Sequence, residues 1–543
     1  MQIVIPMSGF GERFRKVGYK VPKPLIVVEG KPIIHHVIDM FSINDDSFVF
    51  ICNENHLNNK EYQMEKVIKS YCPQAKIVSI PEHKKGPIFA VLESMDHISL
   101  SEPTIVNYCD FTCYWSYEAF KENIFKTNCD GSIPAYRGFH PHTLWNNNYA
   151  YLKEKESVVT DIQEKEPFTK DSNNEYASSG TYYFKTGTMM KNYFKRCVDQ
   201  KLLVSGEYYV SMAYKPMLDD NLAINVFELE HFMQWGTPRD LEDYLYWSDT
   251  FKGILEEEQA PSYEGVLLFP MAGIGNRFAK EGYDLPKPMI PVSGRPMAIQ
   301  ALSDLPNVEI NRYILRDNIS CKDQIIEDLK NVRDNSEFII LDQLTDGQAT
   351  TCVQGSIDIE FEQPITIAAC DNGMLYSNND FNSIMEADDI DIVIWGARGY
   401  PGAIRNRHMY GWIEMSQETK LVKSISVKKP LDDPDNDPIV VGVFTFKKLS
   451  YFLDSVERMK NRKGTINNEY YVDTCINDAI SLGMKCSMFE IDKYICWGTP
   501  GDLSTFEYWQ SCFHKWDSHP YNLINDPNIS KEDEAKLIKK YCD

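Results

Sequence analysis

Short apolar runs alternate along the chain with segments whose apolar positions recur at helical spacing. In the first half, residues 3–5, 48–52, 77–80, 104–108 and 131–135 read as strands. Amphipathic segments at 33–41, 61–71 and 88–95 read as the helices between them. A β-rich part follows over 150–162 and 180–184, then a helix over 189–199. The half closes at Gln234-Trp235-Gly236-Thr237-Pro238-Arg239-Asp240-Leu241 and a last helix. This alternation predicts an α/β domain with a mixed, mainly parallel sheet.

The pattern is then repeated. Pro6-Met7-Ser8-Gly9-Phe10-Gly11-Glu12-Arg13-Phe14, followed by Val21-Pro22-Lys23-Pro24-Leu25, returns as Pro270-Met271-Ala272-Gly273-Ile274-Gly275-Asn276-Arg277-Phe278 and Leu285-Pro286-Lys287-Pro288-Met289. Gly273 lies 264 positions after Gly9, Gly347 lies 261 after Gly86, and Asp371 lies 261 after Asp110. Lys428, Glu469 and Trp497 follow Lys165, Glu207 and Trp235 at offsets of 263, 262 and 262. An offset that drifts by only about three positions over a whole domain is the trace of a duplication. A chain of 543 residues also exceeds one ordinary core. The expected organisation is a first domain at 1–251, a polar linker at 252–264 containing Glu256-Glu257-Glu258, and a second domain at 265–513. A helical tail at 514–543 carries a capping box at Ser530-Lys531-Glu532-Asp533.

Composition narrows the function. A content of 43% hydrophobic and 12% aromatic residues is that of a globular protein. No apolar run approaches the roughly 18 residues needed to cross a bilayer, and the opening Met-Gln-Ile-Val-Ile-Pro lacks the basic start of an export signal. The 14 scattered cysteines, with no Cys-x-x-Cys pair, are expected to be reduced and mostly buried, in the cytoplasm. A net charge of −23 argues against nucleic acid or an anionic membrane as partner. The oligomeric state is left open, a homo-oligomer included.

Against that acidity, the cations of the repeated stretch stand out. Gly9 and Gly11 let the backbone approach a ligand. The helix start behind them offers free N–H groups to phosphate, and Arg13 and Lys23 add cations at a spacing suited to a triphosphate. The stretch is not the dinucleotide fingerprint, because Phe14 and Phe278 hold the third glycine position. It also lacks the Gly-Lys-Ser/Thr ending of a P-loop. Gly-x-Gly-x-Arg-Phe followed about ten residues later by Lys-Pro, twice, resembles the nucleotidyltransferase (nucleoside-diphosphate-sugar pyrophosphorylase) family. The resemblance is strongest to members from capsular polysaccharide biosynthesis.

The resemblance implies two tandem Rossmann-like domains, of the fold shared with GT-A glycosyltransferases. It also implies transfer of a nucleotidyl group from a nucleoside triphosphate to a sugar phosphate or similar phosphorylated metabolite, with release of pyrophosphate. By position, Arg13, Lys23, Arg277 and Lys287 become catalytic, and Gly9, Gly11, Gly273 and Gly275 hold the triphosphate. Glu82 with Gly86, and Gln343 with Gly347, would read the base; Lys165, Gly180 and Glu207, with Lys428, Gly442 and Glu469, would hold the acceptor. Asp110 and Asp371, each closing an apolar strand, look like the magnesium ligands.

Three features complicate the match. Family members often carry a second metal-binding Asp before the final Gly-Thr, where this chain has Gln234 and Cys496, with carboxylates only later at Asp240 and Asp502. Arg137 and Arg398 are matched cations without an assigned role. His140 and His142, unmatched in the second copy, are expected to be an exposed loop pair. Two rival readings remain: a glycosyltransferase using a nucleotide sugar, which the missing Asp-x-Asp pair at 110–112 disfavours, and a non-catalytic nucleotide-sugar sensor in one half.

Overall fold

A computed structural model describes residues 1–145, 148–256 and 260–542. The chain forms two compact units, Met1–Leu245 with Lys515–His519, and Tyr246–His514 with the residues from Pro520 on. The boundaries therefore differ from those expected. Residues 252–255 complete the helix Pro238–Leu255, and 262–264 begin the strand Ser262–Pro270, so the expected linker falls inside the second unit and the boundary after Leu245 lies within that helix. Of that stretch, Glu257, Glu258 and Gln259 lie outside the described residues. The tail is not a separate element either. Trp516 sets its ring 5.4 Å from His36 and 6.2 Å from Trp235 of the first unit. Tyr521 lies 4.7 Å from Phe251 of the second unit. Packing of two large rings, Tyr521 buried and Trp516 half-buried, outweighs the polar character of the segment around them.

The first unit is built on a ten-stranded sheet. Gln2–Met7 lies third from one edge, parallel to Ser47–Asn53 on one side and to Thr104–Asn107 on the other, and Lys76–Ile80 forms that edge. Ile3, Val4 and Ile5 are fully buried, as an unbroken apolar run covered on both faces requires. Beyond Thr104–Asn107 the pairing turns largely antiparallel, through Thr181–Phe184 and the hairpin of Ala150–Lys155 with Val158–Glu164. The sheet is mixed, with parallel pairing concentrated in the half that holds the glycine stretch.

The second unit repeats this plan. Ser262–Pro270 runs parallel to Asn307–Arg316 and to Ile365–Ala368, with Ser336–Leu341 at the far edge. Ile439–Phe446 then pairs antiparallel to Ile365–Ala368 and to Ile392–Ala397. In each unit the second, short sheet is a two-stranded ribbon: Phe111–Tyr114 with His231–Gln234, and Asn372–Leu375 with Lys493–Cys496. All cysteines except Cys321, Cys370 and Cys542 are buried.

One contact fixes the loop after the strand Lys76–Ile80. Gly86 adopts φ 90°, and Tyr208 N–H donates to the Lys85 carbonyl at 2.9 Å while Ile88 N–H donates to the Tyr208 carbonyl. A Cβ on Gly86 would lie 2.7 Å from Tyr208 N, and Gly347 meets Tyr470 in the same way. Gly86→Ala and Gly347→Ala are therefore expected to destabilise their units by more than about 1 kcal/mol each, read as a lower denaturant midpoint. An unchanged midpoint would show that the backbone approach is not required.

Candidate active site

Two adjacent parallel strands deliver the core of the site. Gln2–Met7 runs into the glycine stretch, and its neighbour Thr104–Asn107 runs towards Asp110, so both arrive at the carboxyl edge of the sheet, where ligands bind in open α/β folds. Gly11 takes the left-handed conformation at φ 64°, and Gly275 does so at φ 68°. A Cβ on Gly9 or Gly273 would meet no protein atom within 4 Å. No protein contact demands glycine at these two positions; both line a cavity, and their bareness leaves room there for a ligand. The helix that follows, Glu12–Lys16, has only five residues, so the loop backbone and the side-chain cations outweigh any helix dipole.

Lys23 Nζ lies 2.6 Å from Asp110 Oδ2, and Lys287 pairs with Asp371 in the same way. Burial lowers the pKa of the Lys23 ammonium, but Asp110 and the neighbouring Cys109 raise it by more, and the net shift is upward. Lys23 therefore stays charged. Trp235 N–H donates to the Asp110 carbonyl at 2.9 Å, and Trp497 N–H to that of Asp371 at 2.8 Å, which brings the next glycine beside the carboxylate. A Cβ on Gly236 would sit 3.2 Å from Asp110 Oδ2, and one on Gly498 would sit 3.0 Å from Asp371 Oδ2. These glycines keep one side of each carboxylate clear.

The first unit has two cavities that share lining residues. A cavity of about 440 Å³ is lined by the glycine stretch, Lys23, His83, Lys84, Gly86, Asp110 and Glu207. A smaller one of about 200 Å³ is lined by Lys165, Gly180, Glu164, Tyr149 and Gln234. Arg13, Tyr108, Asp110, Tyr209 and Gly236 border both. In the second unit a cavity of about 610 Å³ gathers Gly273, Gly275, Arg277, Lys287, Gly347, Asp371 and Glu469. Glu82 and Gln343 line neither large cavity; Glu82 instead accepts from Asn55 Nδ2 at 2.8 Å. Their neighbours His83 and Lys84, and Leu344 and Thr345, take the lining positions.

Around the matched lysine each unit holds the same relay. Lys165 Nζ donates to Tyr209 OH at 2.6 Å, and that hydroxyl donates to Glu207 Oε2 at 2.6 Å. Lys428 Nζ donates to Tyr471 OH at 2.8 Å, beside Glu469. Lys165 and Lys428 both sit at positive φ, 62° and 58°. A left-handed non-glycine residue costs on the order of 1 kcal/mol, and both matched lysines carry that strain. The relay tyrosines were not singled out from the sequence, although Tyr209 and Tyr471 stand two residues after the matched glutamates.

Two further acids also escaped sequence reasoning. Glu164 lines the smaller cavity, accepts from Ser211 Oγ at 2.5 Å, and burial pushes its carboxyl up to about 7. In the second unit Val427 stands where Glu164 does, and Asp473 stands where Ser211 does. A Cβ on Gly411 would lie 2.6 Å from Asp473 Oδ2, so the absence of a side chain there makes room for the carboxylate. Burial pushes Asp473 up to about 6. The acid has moved from the strand to the facing helix.

The expectation of an exposed histidine pair is overturned. His140 and His142 are buried; His142 Nε2 lies 2.5 Å from Tyr136 OH, and His140 is bonded to the Phe232 carbonyl. Burial lowers His140 to about 3 and His142 well below its ordinary value, so both are neutral props behind Tyr149 and Phe232, which line the smaller cavity. Arg137 and Arg398 pair with Glu228 and Glu490 and line none of these cavities. Asp240 and Asp502 serve as helix-capping acids: Thr237 Oγ1 and Thr499 Oγ1 each donate to them at 2.6 Å and accept their N–H at 3.1 Å. Among the described residues no group of three or more His, Cys, Asp or Glu stands ready for a metal. One carboxylate with open space beside it suits magnesium, which is commonly held by one or two carboxylates together with substrate phosphates and water.

The sequence model of the family described as "Nucleotidyl transferase" matches residues 3–251, in the first half of the chain. A segment of 101 residues, 18% of the chain, is 30% identical to the 2-C-methyl-D-erythritol 4-phosphate cytidylyltransferase of Clostridium kluyveri and spans 41% of that protein's length. Among solved structures, the nucleoside-diphosphate-sugar pyrophosphorylase of Vibrio cholerae RC9 aligns at 20% identity over 45% of this chain and 99% of its own, with a TM-score of 0.38. The inositol-1-phosphate CTP transferase of T. maritima aligns at 15% identity over 46% and 96%, with a TM-score of 0.36.

A carboxyl with a raised pKa contributes stability that is complete below its unfolded value, near 4.3, and is lost as pH rises through its folded value. For Glu164 that window runs from about 4.5 to about 7. Glu164→Gln is expected to flatten the dependence of Tm on pH across this window and to melt no lower than wild type at pH 8. A Tm profile unchanged in slope would contradict the buried-acid assignment.

Proposed function

We propose that each half of the chain transfers a nucleotidyl group from a nucleoside triphosphate, such as CTP, UTP or dTTP, to a sugar phosphate or similar phosphorylated metabolite. The observation that carries the reading is the pair of cavities meeting at Arg13 and Asp110, one lined by the glycine stretch and Lys23, the other by Lys165. An acceptor phosphate oxygen attacks the α-phosphorus, the bond to the oxygen bridging to the β-phosphate breaks, and pyrophosphate leaves. The acceptor phosphate is largely ionised at neutral pH, its second pKa being near 6, so no histidine base is needed. The difficulty is electrostatic: two anions must approach while charge builds on the leaving group. Arg13, bordering both cavities, faces both anions; Lys23 faces the triphosphate; Lys165, steered by Tyr209 and Glu207, receives the acceptor phosphate. Arg277, Lys287, Lys428, Tyr471 and Glu469 take these roles in the second half.

Magnesium, held by Asp110 or Asp371 with phosphate oxygens and water, would supply further charge neutralisation at the triphosphate. The products would be activated sugars or similar precursors for capsule or surface polysaccharide, made in the cytoplasm. Both halves retain the full set of cations, whereas binding a product alone would need fewer. The displaced acid, Glu164 against Asp473, supports different acceptors at the two sites.

The test is pyrophosphate release across a panel of triphosphates and phosphorylated acceptors. With the second site disabled by Lys287→Ala, Arg13→Ala and Lys23→Ala are each expected to lower turnover at the first by roughly 10²–10³-fold, the scale of losing one preorganised donor to developing charge. Wild-type release from Arg13→Ala in that background would sink the assignment. Tyr209→Phe removes the hydroxyl that positions Lys165. It is expected to raise the acceptor KM about tenfold, the loss of one charge-assisted hydrogen bond, with the triphosphate KM nearly unchanged. Equal rises in both would place Tyr209 elsewhere in the mechanism.

A further inference from the structure

The rim of the first nucleotide cavity carries an ion pair with no counterpart in the second. Lys84 Nζ lies 2.7 Å from Glu12 Oε1 and 5.2 Å from the centre of the Phe10 ring. All three residues line the cavity. Glu12 and Phe10 belong to the glycine stretch, whereas Lys84 comes from the loop after the strand Lys76–Ile80, so the pair bridges two walls of the cavity. The adjacent Lys85 is directed elsewhere, over the Phe89 ring at 4.1 Å, and does not line the cavity. In the second unit the matching positions are Ile274, Asn276 and Thr345, none of them charged. Thr345 Oγ1 is turned inward, donating to the Gly347 carbonyl at 3.0 Å and lying 2.6 Å from Thr351 Oγ1.

We propose that Lys84 is a third triphosphate cation of the first site, absent from the second, and that Glu12 holds it in reserve until a triphosphate enters. The inference rests on the triphosphate reading of that cavity. Side-chain exposures of 69% and 54% leave the pair screened by solvent, and such pairs are weak. A triphosphate brings several charges and strong acceptor oxygens to the same rim, so it outcompetes one carboxylate for the ammonium. Glu12 lowers the affinity of the empty site and keeps Lys84 positioned over the mouth. The second site binds its nucleotide with Arg277 and Lys287 alone.

Sodium tripolyphosphate, which has no base or sugar, isolates this contribution. In the full chain with the second site disabled by Arg277→Ala and Lys287→Ala, tripolyphosphate affinity is read by calorimetry. Lys84→Ala is expected to weaken binding about fivefold, and Glu12→Gln to tighten it about twofold, the range of rim charges. Glu12→Gln is expected to change nothing when Lys84→Ala is already present, because the pair acts as a unit. Both single effects shrink as salt is raised. Unchanged affinity in Lys84→Ala, with binding intact in the parent, overturns the proposal alone. Equal tightening by Glu12→Gln with and without Lys84 overturns the holding role. A parent that takes up no tripolyphosphate overturns this proposal together with the nucleotide reading beneath it.

Discussion

The site of each half is built on one ion pair. Lys23 with Asp110, and Lys287 with Asp371, join the end of the glycine stretch to the end of the neighbouring parallel strand. Taking a carboxylate and an ammonium partly out of water is costly unless they meet, and the sheet brings them together because adjacent parallel strands end at the same edge. The rest of the site is arranged around that pair. The two-stranded ribbon ties the Asp110 carbonyl to Trp235 N–H and sets Gly236 beside the carboxylate. The acceptor-side lysine arrives at the end of the strand Val158–Glu164, held in a strained conformation by its tyrosine and glutamate.

Much of this was legible in the sequence because duplication is a strong signal. The glycines, Arg13, Lys23, Asp110 and their partners could be paired by offset, and the short buried strands announced the α/β plan. The tyrosines of the relay were harder to see, since a tyrosine near a glutamate is common and only the fold brings it to Lys165. Glu164 and Asp473 were invisible to matching for a different reason: the acid changes walls between the copies, with Gly411 making room, so a comparison position by position sees only Glu against Val and Ser against Asp. His140 and His142 looked like loop residues because sequence pattern does not reveal that Tyr136 and Phe232 cover them. The linker and tail were misjudged where a few large rings, Trp516 and Tyr521, counted for more than the average polarity of the segment.

The two halves share their charge machinery and differ at the edges of it. The first carries Glu12, His83 and Lys84 at the nucleotide rim; the second carries Asn276, Leu344 and Thr345. The buried acid lies on a strand in the first half, at Glu164, and on the facing helix in the second, at Asp473, with Val427 at the vacated position.

On the proposed function, one chain holds two working triphosphate sites. The direct measurement is the number of nucleotides bound per full-length chain, by equilibrium dialysis with labelled CTP, UTP and dTTP in the presence of magnesium. The account predicts a summed occupancy of two per chain, falling to one when Lys23 or Lys287 is replaced by alanine and to none when both are. An occupancy of one that Lys287→Ala leaves unchanged, or no binding at all, would contradict it.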